Sequence, residues 1–363
     1  MQDLHTVSAS SALRLRPGEW VEVRSREDIL ATLAPDATLD GLPFMPEMLR
    51  FCGQRFQVHK RADKTCDSVD KTGGLRLRHT VHLQGLRCDG SGHGGCEAGC
   101  LMFWRESWLK RPADGHVPAT RPATPFGVSS GCTERDVERA AVVDAGEQIF
   151  RCQMTQLKAF TQALRWWDVR QYVRDVLTNS VPLGTIARAF LFAAFRSLLA
   201  HGRGYRLLVS FYEWVQARRG GTPFPLRSGT CDKTPTAVLG LEPGELVRVK
   251  SYPEILGTLD RDNRNRGLRF DPELVKYCGG IYRVIKRVRR ILDEKTGKML
   301  QFSNPCIVLQ DVFCTAETTK WRLFCPRNTW IYWREIWLER VAKPEAPPRS
   351  VGDGIATPHV HVS

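Results

Sequence analysis

The sequence contains two copies of one module, and this internal repeat constrains the fold more than any other feature. The segment LRPGEWVEVRSREDILATLAPDATLDGLPFMPEMLRFCGQRFQVHKR, which begins at Leu15, aligns without a gap to LEPGELVRVKSYPEILGTLDRDNRNRGLRFDPELVKYCGGIYRVIKR, which begins at Leu241. The similarity resumes where FWRESWLKR from Phe103 matches YWREIWLER from Tyr332. A match of this length indicates a duplicated module, so we expect both copies to fold alike.

Each copy is predicted to form several short strands with little helix. PGEWVEVRS alternates apolar and polar residues after a Pro-Gly turn, which is typical of a half-buried strand. SREDILATL carries a serine N-cap before an apolar helical face, and QRFQVHKR and HTVHLQGL resemble further strands. This pattern predicts an α+β chain in which two small, metal-stabilised SH3-like β-barrel modules flank an all-α insert.

The boundaries between these units follow changes in composition. A stretch rich in proline, glycine, threonine and serine follows the first copy, and the sequence period then becomes helical. The predicted division is a first β-barrel repeat with a Cys/His-rich loop at 13–111, a linker at 112–132, a helical insert at 133–219, a linker at 220–238, a second β-barrel repeat at 239–340 and a disordered tail at 341–363.

The charge balance and the cysteine content restrict the partners and the compartment. The chain has 53 Lys+Arg against 39 Asp+Glu, a net charge of +14, which favours acidic partners such as nucleic acid, an anionic membrane surface or a polyanionic glycan. The start of the chain lacks the apolar core of a signal peptide, and no uninterrupted apolar run reaches the roughly 18 residues expected of a membrane span. We therefore expect a cytoplasmic protein, in which metal ligation or redox chemistry explains clustered cysteines better than structural disulfides do.

The repeat shows which of the 12 cysteines both copies share. Three thiols occupy equivalent places: Cys52 and Cys278, Cys88 and Cys314, and Cys96 and Cys325. A structural zinc ion takes four ligands, commonly four cysteines or three cysteines and one histidine. We therefore predict one zinc site in each copy. The predicted ligands are Cys52, Cys88, Cys96 and Cys100 in the first copy, and Cys278, Cys306, Cys314 and Cys325 in the second.

The stretch RCDGSGHGGCEAGC, from Arg87 to Cys100, distinguishes the first copy from the second. Its glycines allow the loop to fold back and bring its thiols together. Further residues of ligand type occur only in this copy: Cys66, His82, Asp89 and His93. These residues place any specific activity on the first copy. The alternatives are that Asp89 and His93 only solvate a loop, that the thiols are inert buried groups or redox-active, or that four thiolates hold an iron–sulfur cluster.

The second copy carries basic and aromatic residues at strand spacing, in YRVIKRVRRILDEKTGK and the tryptophan-rich segment after it. Basic side chains can follow a phosphate backbone, and tryptophan rings can stack on bases. The predicted polyanion-binding residues are Arg283, Lys286, Arg287, Arg289, Arg290, Trp321 and Trp330. The alternative is a solvated strand face beside an aromatic core.

The sequence carries none of the common enzyme motifs, such as a P-loop, GxSxG or HExxH. We therefore predict a non-catalytic, zinc-stabilised binding or scaffold protein, with nucleic acid or another polyanion as its ligand. One alternative is a metal- or thiol-dependent enzyme, or an enzyme accessory, centred on Cys52, Cys88, Cys96 and Cys100. Another is a scaffold that binds a protein partner through the apolar helix IARAFLFAAFRSLLA of the insert.

Overall fold

The computed structural model describes residues 13–70, 72–112, 131–200, 205–318 and 324–341. Over these ranges the chain is a mixed α+β structure with several small antiparallel sheets. Most of the predicted first linker, nearly all of the predicted tail and Trp321 lie outside the described residues.

The first repeat consists of short strands and single turns of helix. Ser25 caps its first helix, because the serine Oγ accepts a hydrogen bond of 3.1 Å from the backbone N–H of Asp28. Two 3₁₀ helices, Pro46–Phe51 and Glu106–Trp108, complete the repeat. Its other elements are β1 (Trp20–Val23), α1 (Arg26–Leu30), β2 (Thr38–Leu39), β3 (Leu42–Pro43), β4 (Arg55–Arg61), β5 (Lys64–Cys66), β6 (Gly74–Arg76), β7 (Thr80–Leu83), β8 (Trp104–Arg105) and β9 (Leu109–Lys110).

The insert is not all-α, and this part of the sequence prediction is wrong. Its elements are α2 (Glu134–Ala140), β10 (Val142–Asp144), β11 (Ile149–Phe150), β12 (Gln162–Leu164), α3 (Arg170–Leu177), α4 (Leu183–Ala200) and α5 (Tyr205–Arg219). The helical pattern stops after α2 because Asp144 accepts the backbone N–H of Glu147 and turns the chain into the β10–β11 hairpin. None of the helices in the described ranges combines the length and the apolar character of a membrane span.

The second repeat has longer strands than the first. Its helices are α6 (Tyr252–Leu256) and the 3₁₀ helices Pro272–Tyr277 and Glu335–Trp337. Its strands are β13 (Leu246–Val249), β14 (Arg264–Asn265), β15 (Leu268–Arg269), β16 (Ile281–Leu292), β17 (Met299–Phe313), β18 (Trp330–Trp333) and β19 (Leu338–Arg340).

Each repeat contains a five-stranded sheet, and the two sheets have the same strand order. The order is β8-β7-β4-β1-β9 in the first repeat and β18-β17-β16-β13-β19 in the second. In both, the last strand pairs antiparallel with the first, as Val23 with Leu109 and Val249 with Leu338. The outer strands of each sheet do not pair with each other, so the described residues form no closed barrel.

An aromatic pair lies at the centre of each core. Trp108 meets Phe44 edge to face at 5.2 Å between ring centroids, and Trp337 meets Phe270 in the same way at 5.3 Å. Both tryptophans are fully buried. Because edge-to-face aromatic pairs add to the energy of area burial, these contacts anchor the last 3₁₀ helix of each repeat to its sheet.

A buried ion pair also recurs in both repeats. The Arg61 guanidinium lies 2.9 Å from the Glu106 carboxylate, and the Arg287 guanidinium lies 2.6 Å from the Glu335 carboxylate. Each arginine also donates to a backbone carbonyl at the start of its repeat. We call this contact the Arg–Glu clip. It gives Arg287 a structural partner inside the protein.

The long β16–β17 hairpin joins the second repeat to the rest of the molecule. Its Leu292 and Met299 belong to the buried core of the first repeat. The backbone N–H of Phe150 donates to the carbonyl of Gly297 at 2.9 Å, which pairs this hairpin with the insert. The Cys/His-rich loop is therefore packed between elements of both repeats and the insert.

Candidate metal centre

The loop from Cys88 to Cys100 folds back on itself, as its glycines predict. The backbone N–H of Cys88 donates to the carbonyl of Cys100 at 2.9 Å, and the carbonyl of Gly90 accepts from His93 at 3.0 Å. Gly90 has a φ of +77°, and a Cβ at this position would lie 2.2 Å from the carbonyl oxygen of Cys96. Only glycine fits there, because any side chain would push the two arms of the loop apart.

Three groups that can bind a metal ion meet at the base of this loop. The Cys88 Sγ lies 3.0 Å from Oε1 of Glu47 and 3.5 Å from Nε2 of His93. The His93 Nδ1 lies 3.5 Å from the same Glu47 oxygen. One ligand atom from each residue lies within 4.8 Å of the other two. The first turn of a 3₁₀ helix supplies Glu47, and the loop supplies the other two residues.

Burial removes most of this cluster from water. The side chains of Glu47 and His93 are 0% and 2% exposed. Burial, the Glu47 carboxylate and Cys100 together raise the pKa of the Cys88 thiol, and burial lowers the pKa of His93. Glu47 Oε2 and His93 Nδ1 have no hydrogen-bond partner among the described residues. A bound cation would stabilise the thiolate and occupy these lone pairs, so the residues fit a metal ion.

More thiols surround the same space. A cavity of about 40 Å³ is lined by all three residues of the cluster and by Cys96, Cys100 and Cys152. Burial raises the pKa of Cys100 to about 11 and that of Cys152 to about 12. Cys96 accepts a hydrogen bond of 3.3 Å from the backbone N–H of Leu292. These thiols line the cavity, but within the described residues none of them joins the group of three whose ligand atoms lie within 4.8 Å of one another.

The structure brings together part of the set predicted for the first repeat and adds two residues to it. Cys88, Cys96, Cys100 and His93 surround the cavity. Cys52 does not, because it ends a 3₁₀ helix where Arg26 and Glu27 are the nearest charged groups acting on its thiol. The sequence analysis missed Cys152, which lies in the insert and outside both copies. It also missed Glu47, although the repeat aligns this residue with Glu273.

The predicted zinc site of the second repeat is not assembled. Cys278 lies 3.8 Å from the carbonyl of Leu274, and Cys306 lies near the guanidinium of Arg334.

Cys314 faces Glu273, as Cys88 faces Glu47, but no histidine joins the second pair in the described residues. Elsewhere in the described ranges, no three ligand-type groups lie this close together.

The other predicted ligands of the first repeat are held elsewhere. Asp89 pairs with Arg50 and accepts two hydrogen bonds from Ser91. Burial raises the pKa of Asp89, but these contacts outweigh that effect and lower the pKa to about 2. His82 is fully buried, and its Nδ1 lies 2.9 Å from the carbonyl of Met102. Burial lowers the pKa of His82 to about 3.

Cys66 lies against Cys325 of the second repeat, where the backbone N–H of Cys66 is 3.2 Å from the Cys325 sulfur.

The predicted polyanion-binding residues occupy different environments. Arg287 forms the Arg–Glu clip, and Arg283 donates to the carbonyl of Gly244 at 2.7 Å. The Trp330 ring carries the cations of Arg87 and Lys286 at 4.6 and 4.7 Å from its centroid, so cations of the chain itself occupy the stacking surface.

Arg289 and Arg290 are exposed on β16, and no carboxylate within the described residues forms an ion pair with their side chains. Their backbone N–H groups donate to Glu97 of the Cys/His-rich loop. This exposed pair is the part of the predicted surface that remains available to a partner.

A carboxylate, a thiol and an imidazole in one buried cluster form a donor set that suits zinc. The near-complete burial of Glu47 and His93 is typical of a closed structural site, because a catalytic zinc keeps a coordination position open to substrate. We compared the chain with protein-family models, with curated proteins and with solved structures, and none of these comparisons found a match.

Proposed function

We propose that the chain is a zinc-stabilised binding protein. In this proposal Glu47, Cys88 and His93 hold the ion, and a thiol lining the same cavity completes the tetrahedron. The observation that carries the proposal is the buried cluster itself, in which two lone-pair atoms have no hydrogen-bond partner among the described residues. A metal ion satisfies both atoms and offsets the cost of a buried thiolate.

The proposed role of the ion is to fix the Cys/His-rich loop. This loop contacts the second repeat, because the backbone N–H of Glu97 donates to the carbonyl of Arg290 at 3.0 Å. Without a metal ion, a loop with so many glycines loses much conformational entropy when it becomes ordered. The zinc site thereby sets the position of one repeat against the other, and the proposed activity is binding rather than catalysis.

The finer features of the fold belong to the same proposal. We infer two SH3-like modules, of which the first is held by zinc and the second by contacts of the protein alone. The clustered thiols favour a reducing, cytoplasmic compartment. The alternative cofactor is an iron–sulfur cluster, which is favoured by one observation: Cys88, Cys96, Cys100 and Cys152 line a single cavity.

Metal analysis of two matched variants tests the zinc site. We expect one zinc ion per chain in the purified protein, loss of that ion in Cys88→Ser and full retention in Cys314→Ser. The two thiols are equivalent in the repeat and each faces a glutamate, so the second variant controls for loss of a buried thiol. A metal-free wild-type protein, or equal loss in both variants, contradicts the site. Iron with a brown colour selects the cluster instead.

A second part of the proposal concerns the ligand, which we infer to be a polyanion. The exposed Arg289 and Arg290 and the net charge of +14 favour it. Binding to single-stranded nucleic acid is expected to weaken with salt, and Arg289→Ala is expected to reduce the salt slope by about one phosphate contact. The control is Arg26→Ala, an exposed arginine that pairs with Glu134. No binding at low salt, or the same slope change in the control, contradicts this part.

A further inference from the structure

Two cysteines from different repeats meet outside the cavity of the candidate metal centre. Cys66 ends β5 in the first repeat, and Cys325 lies between β17 and β18 in the second. The backbone N–H of Cys66 donates to the Cys325 sulfur at 3.2 Å, and the Thr65 hydroxyl lies 3.8 Å from the same atom. The Cys66 thiol also forms a hydrogen bond with Cys325. The two side chains are therefore in contact across the junction of the repeats.

A buried cation lies beside this pair. The Arg327 side chain is 4% exposed, and its Nη1 is 3.9 Å from the Cys66 sulfur. Arg327 also forms an ion pair of 2.9 Å with Glu294 of the β16–β17 hairpin, which fixes the guanidinium in place. The Cys66 hydrogen bond and the Arg327 charge, acting against burial, hold the pKa of the Cys325 thiol below its usual value.

A cavity reaches one member of this pair, Cys325. Cys325 lines a cavity of about 150 Å³ whose wall also contains Lys60, Lys64 and Thr315. The volume is enough for a peroxide and for several waters. Lys64 pairs there with Asp175, and Glu317 also lines the wall, so the cation that acts on Cys325 is Arg327 rather than the lysines. Access together with thiolate character distinguishes reactive cysteines from inert buried ones.

We propose that Cys66 and Cys325 form a redox pair that hydrogen peroxide, or another small peroxide, oxidises to a disulfide between the two repeats. The Cys325 thiolate attacks one peroxide oxygen and the O–O bond breaks. The departing hydroxide takes a proton and leaves as water, and Cys325 becomes a sulfenic acid. The Cys66 thiol then attacks the Cys325 sulfur, and the S–O bond breaks as the second water leaves. The balance is two thiols and one peroxide to one disulfide and two waters.

A metal ion is the competing use of two adjacent thiols, and the surroundings oppose it. Among the described residues, no group of three ligand-type side chains includes Cys66 or Cys325. The Arg327 guanidinium is a positive charge beside the Cys66 sulfur, and it repels a metal cation. The same positive charge raises the fraction of Cys325 that is thiolate.

The test maps disulfides in the full-length chain after brief treatment with a stoichiometric amount of hydrogen peroxide. Remaining thiols are alkylated, the chain is digested without reductant, and linked peptides are identified by mass spectrometry. The expected product links Cys66 to Cys325 and disappears on reduction. It is lost in Cys66→Ser, where the sulfenic acid on Cys325 is trapped instead by a dimedone reagent. The matched control is Cys278→Ser, a partly buried thiol that touches no other cysteine, and it retains the link.

The wild-type mapping is decisive even if a variant fails to fold. Oxidation of other thiols without the Cys66–Cys325 peptide overturns the proposal, as does linkage of either residue to Cys314 or between chains. Sulfenic acid on Cys66 rather than on Cys325 in wild-type protein overturns the assigned order of attack. Zinc content is measured on the same samples, so loss of the metal is recorded separately from formation of the disulfide.

Discussion

The two repeats place the same buried acid and thiol in different surroundings. In the second repeat both Glu273 oxygens accept backbone N–H groups of the following loop, from Thr315 at 3.0 Å, Ala316 at 3.1 Å and Thr318 at 3.1 Å. In the first repeat the equivalent Glu47 receives no such bonds within the described chain, and one of its oxygens has no partner there.

This difference concerns how each repeat satisfies its buried carboxylate. A buried carboxylate must be satisfied. The second loop satisfies it with its own backbone. The first loop is glycine-rich, turns away at Gly90 and places His93 against the carboxylate instead. In the proposed function a zinc ion satisfies this acid, so the comparison predicts metal dependence in one repeat and independence in the other.

Removing the metal is the largest perturbation of this comparison. We expect a chelator to reduce the protection of backbone amides against hydrogen exchange in residues 88–100 by at least about a hundredfold, because structural zinc contributes many kcal/mol to folding. Protection in residues 313–318 should not change. Hydrogen exchange measured by mass spectrometry, with and without chelator, tests this. Equal loss of protection in both loops would show that the repeats do not differ in the way proposed.

The Arg–Glu clip tests the similarity of the repeats rather than their difference. Arg61→Met and Arg287→Met each leave a buried glutamate without its cation, so each should lower the free energy of unfolding by about 3–5 kcal/mol. Arg61→Met is expected to be the more severe, since Arg61 also pairs with Asp63. Urea denaturation monitored by tryptophan fluorescence measures both. If Arg287→Met instead weakens polyanion binding without loss of stability, Arg287 is a binding residue as the sequence predicted.

Neutralising each glutamate in metal-free protein gives a smaller and asymmetric effect. Glu273→Gln weakens three charge-assisted hydrogen bonds and should lower the free energy of unfolding by about 1.5–3 kcal/mol. Glu47→Gln should lower it by less than about 1 kcal/mol under the same conditions, because among the described residues only the Cys88 thiol donates to that carboxylate. Denaturation in the presence of chelator compares the two. An equal loss would remove the basis for treating Glu47 as a ligand.

The smallest expected difference concerns acid stability. Asp67 and Asp293 occupy equivalent hairpins. Burial raises the pKa of each carboxyl, but hydrogen bonds from Thr72 to Asp67 and from Thr296 to Asp293 hold each pKa below its usual value. Both carboxyl pKa values are lower in the folded chain than in the unfolded chain, where an Asp titrates near 3.9. The two carboxylates therefore stabilise the fold fully above that pH, and this stabilisation is lost as the pH falls below it.

Asp67→Asn should therefore destabilise the protein at pH 7 and have little effect in strong acid. The loss of free energy of unfolding in Asp67→Asn should exceed that in Asp293→Asn by less than about 1 kcal/mol. The reason is that Asp67 has an additional ion pair with the half-exposed Lys158. Stability measured as a function of pH checks both statements. A difference that persists at low pH would mean that the effect is not ionic.

Local patterns predicted much of each repeat. The helix after Ser25 and the strand WVEV were predicted from capping and alternation, which are properties of neighbouring residues. The insert was predicted less well, because the β10–β11 hairpin depends on pairing with the tip of β16–β17, where the N–H of Met299 donates to the carbonyl of Gln148. No local period encodes that contact.

The candidate site divides in the same way. Cys88 and His93 lie five residues apart in one loop, so their spacing made them recognisable. Glu47 lies 41 residues from Cys88 along the chain and in an apolar helical turn, so only the fold brings the two together. The contact between Cys66 and Cys325 spans 259 residues and both repeats, which is beyond any argument from spacing.

The pairing of first and last strands has a consequence for the history of this architecture. Glu22 of β1 lies opposite Lys110 of β9, and Arg111 donates to the carbonyl of Leu13, so the entrance and the exit of the first repeat are neighbours. A unit whose ends touch can be copied head to tail, opened at another loop as a circular permutant, or separated from its twin by a long intervening segment without disturbing its own sheet. The insert can therefore lie between the two repeats without interrupting either five-stranded sheet.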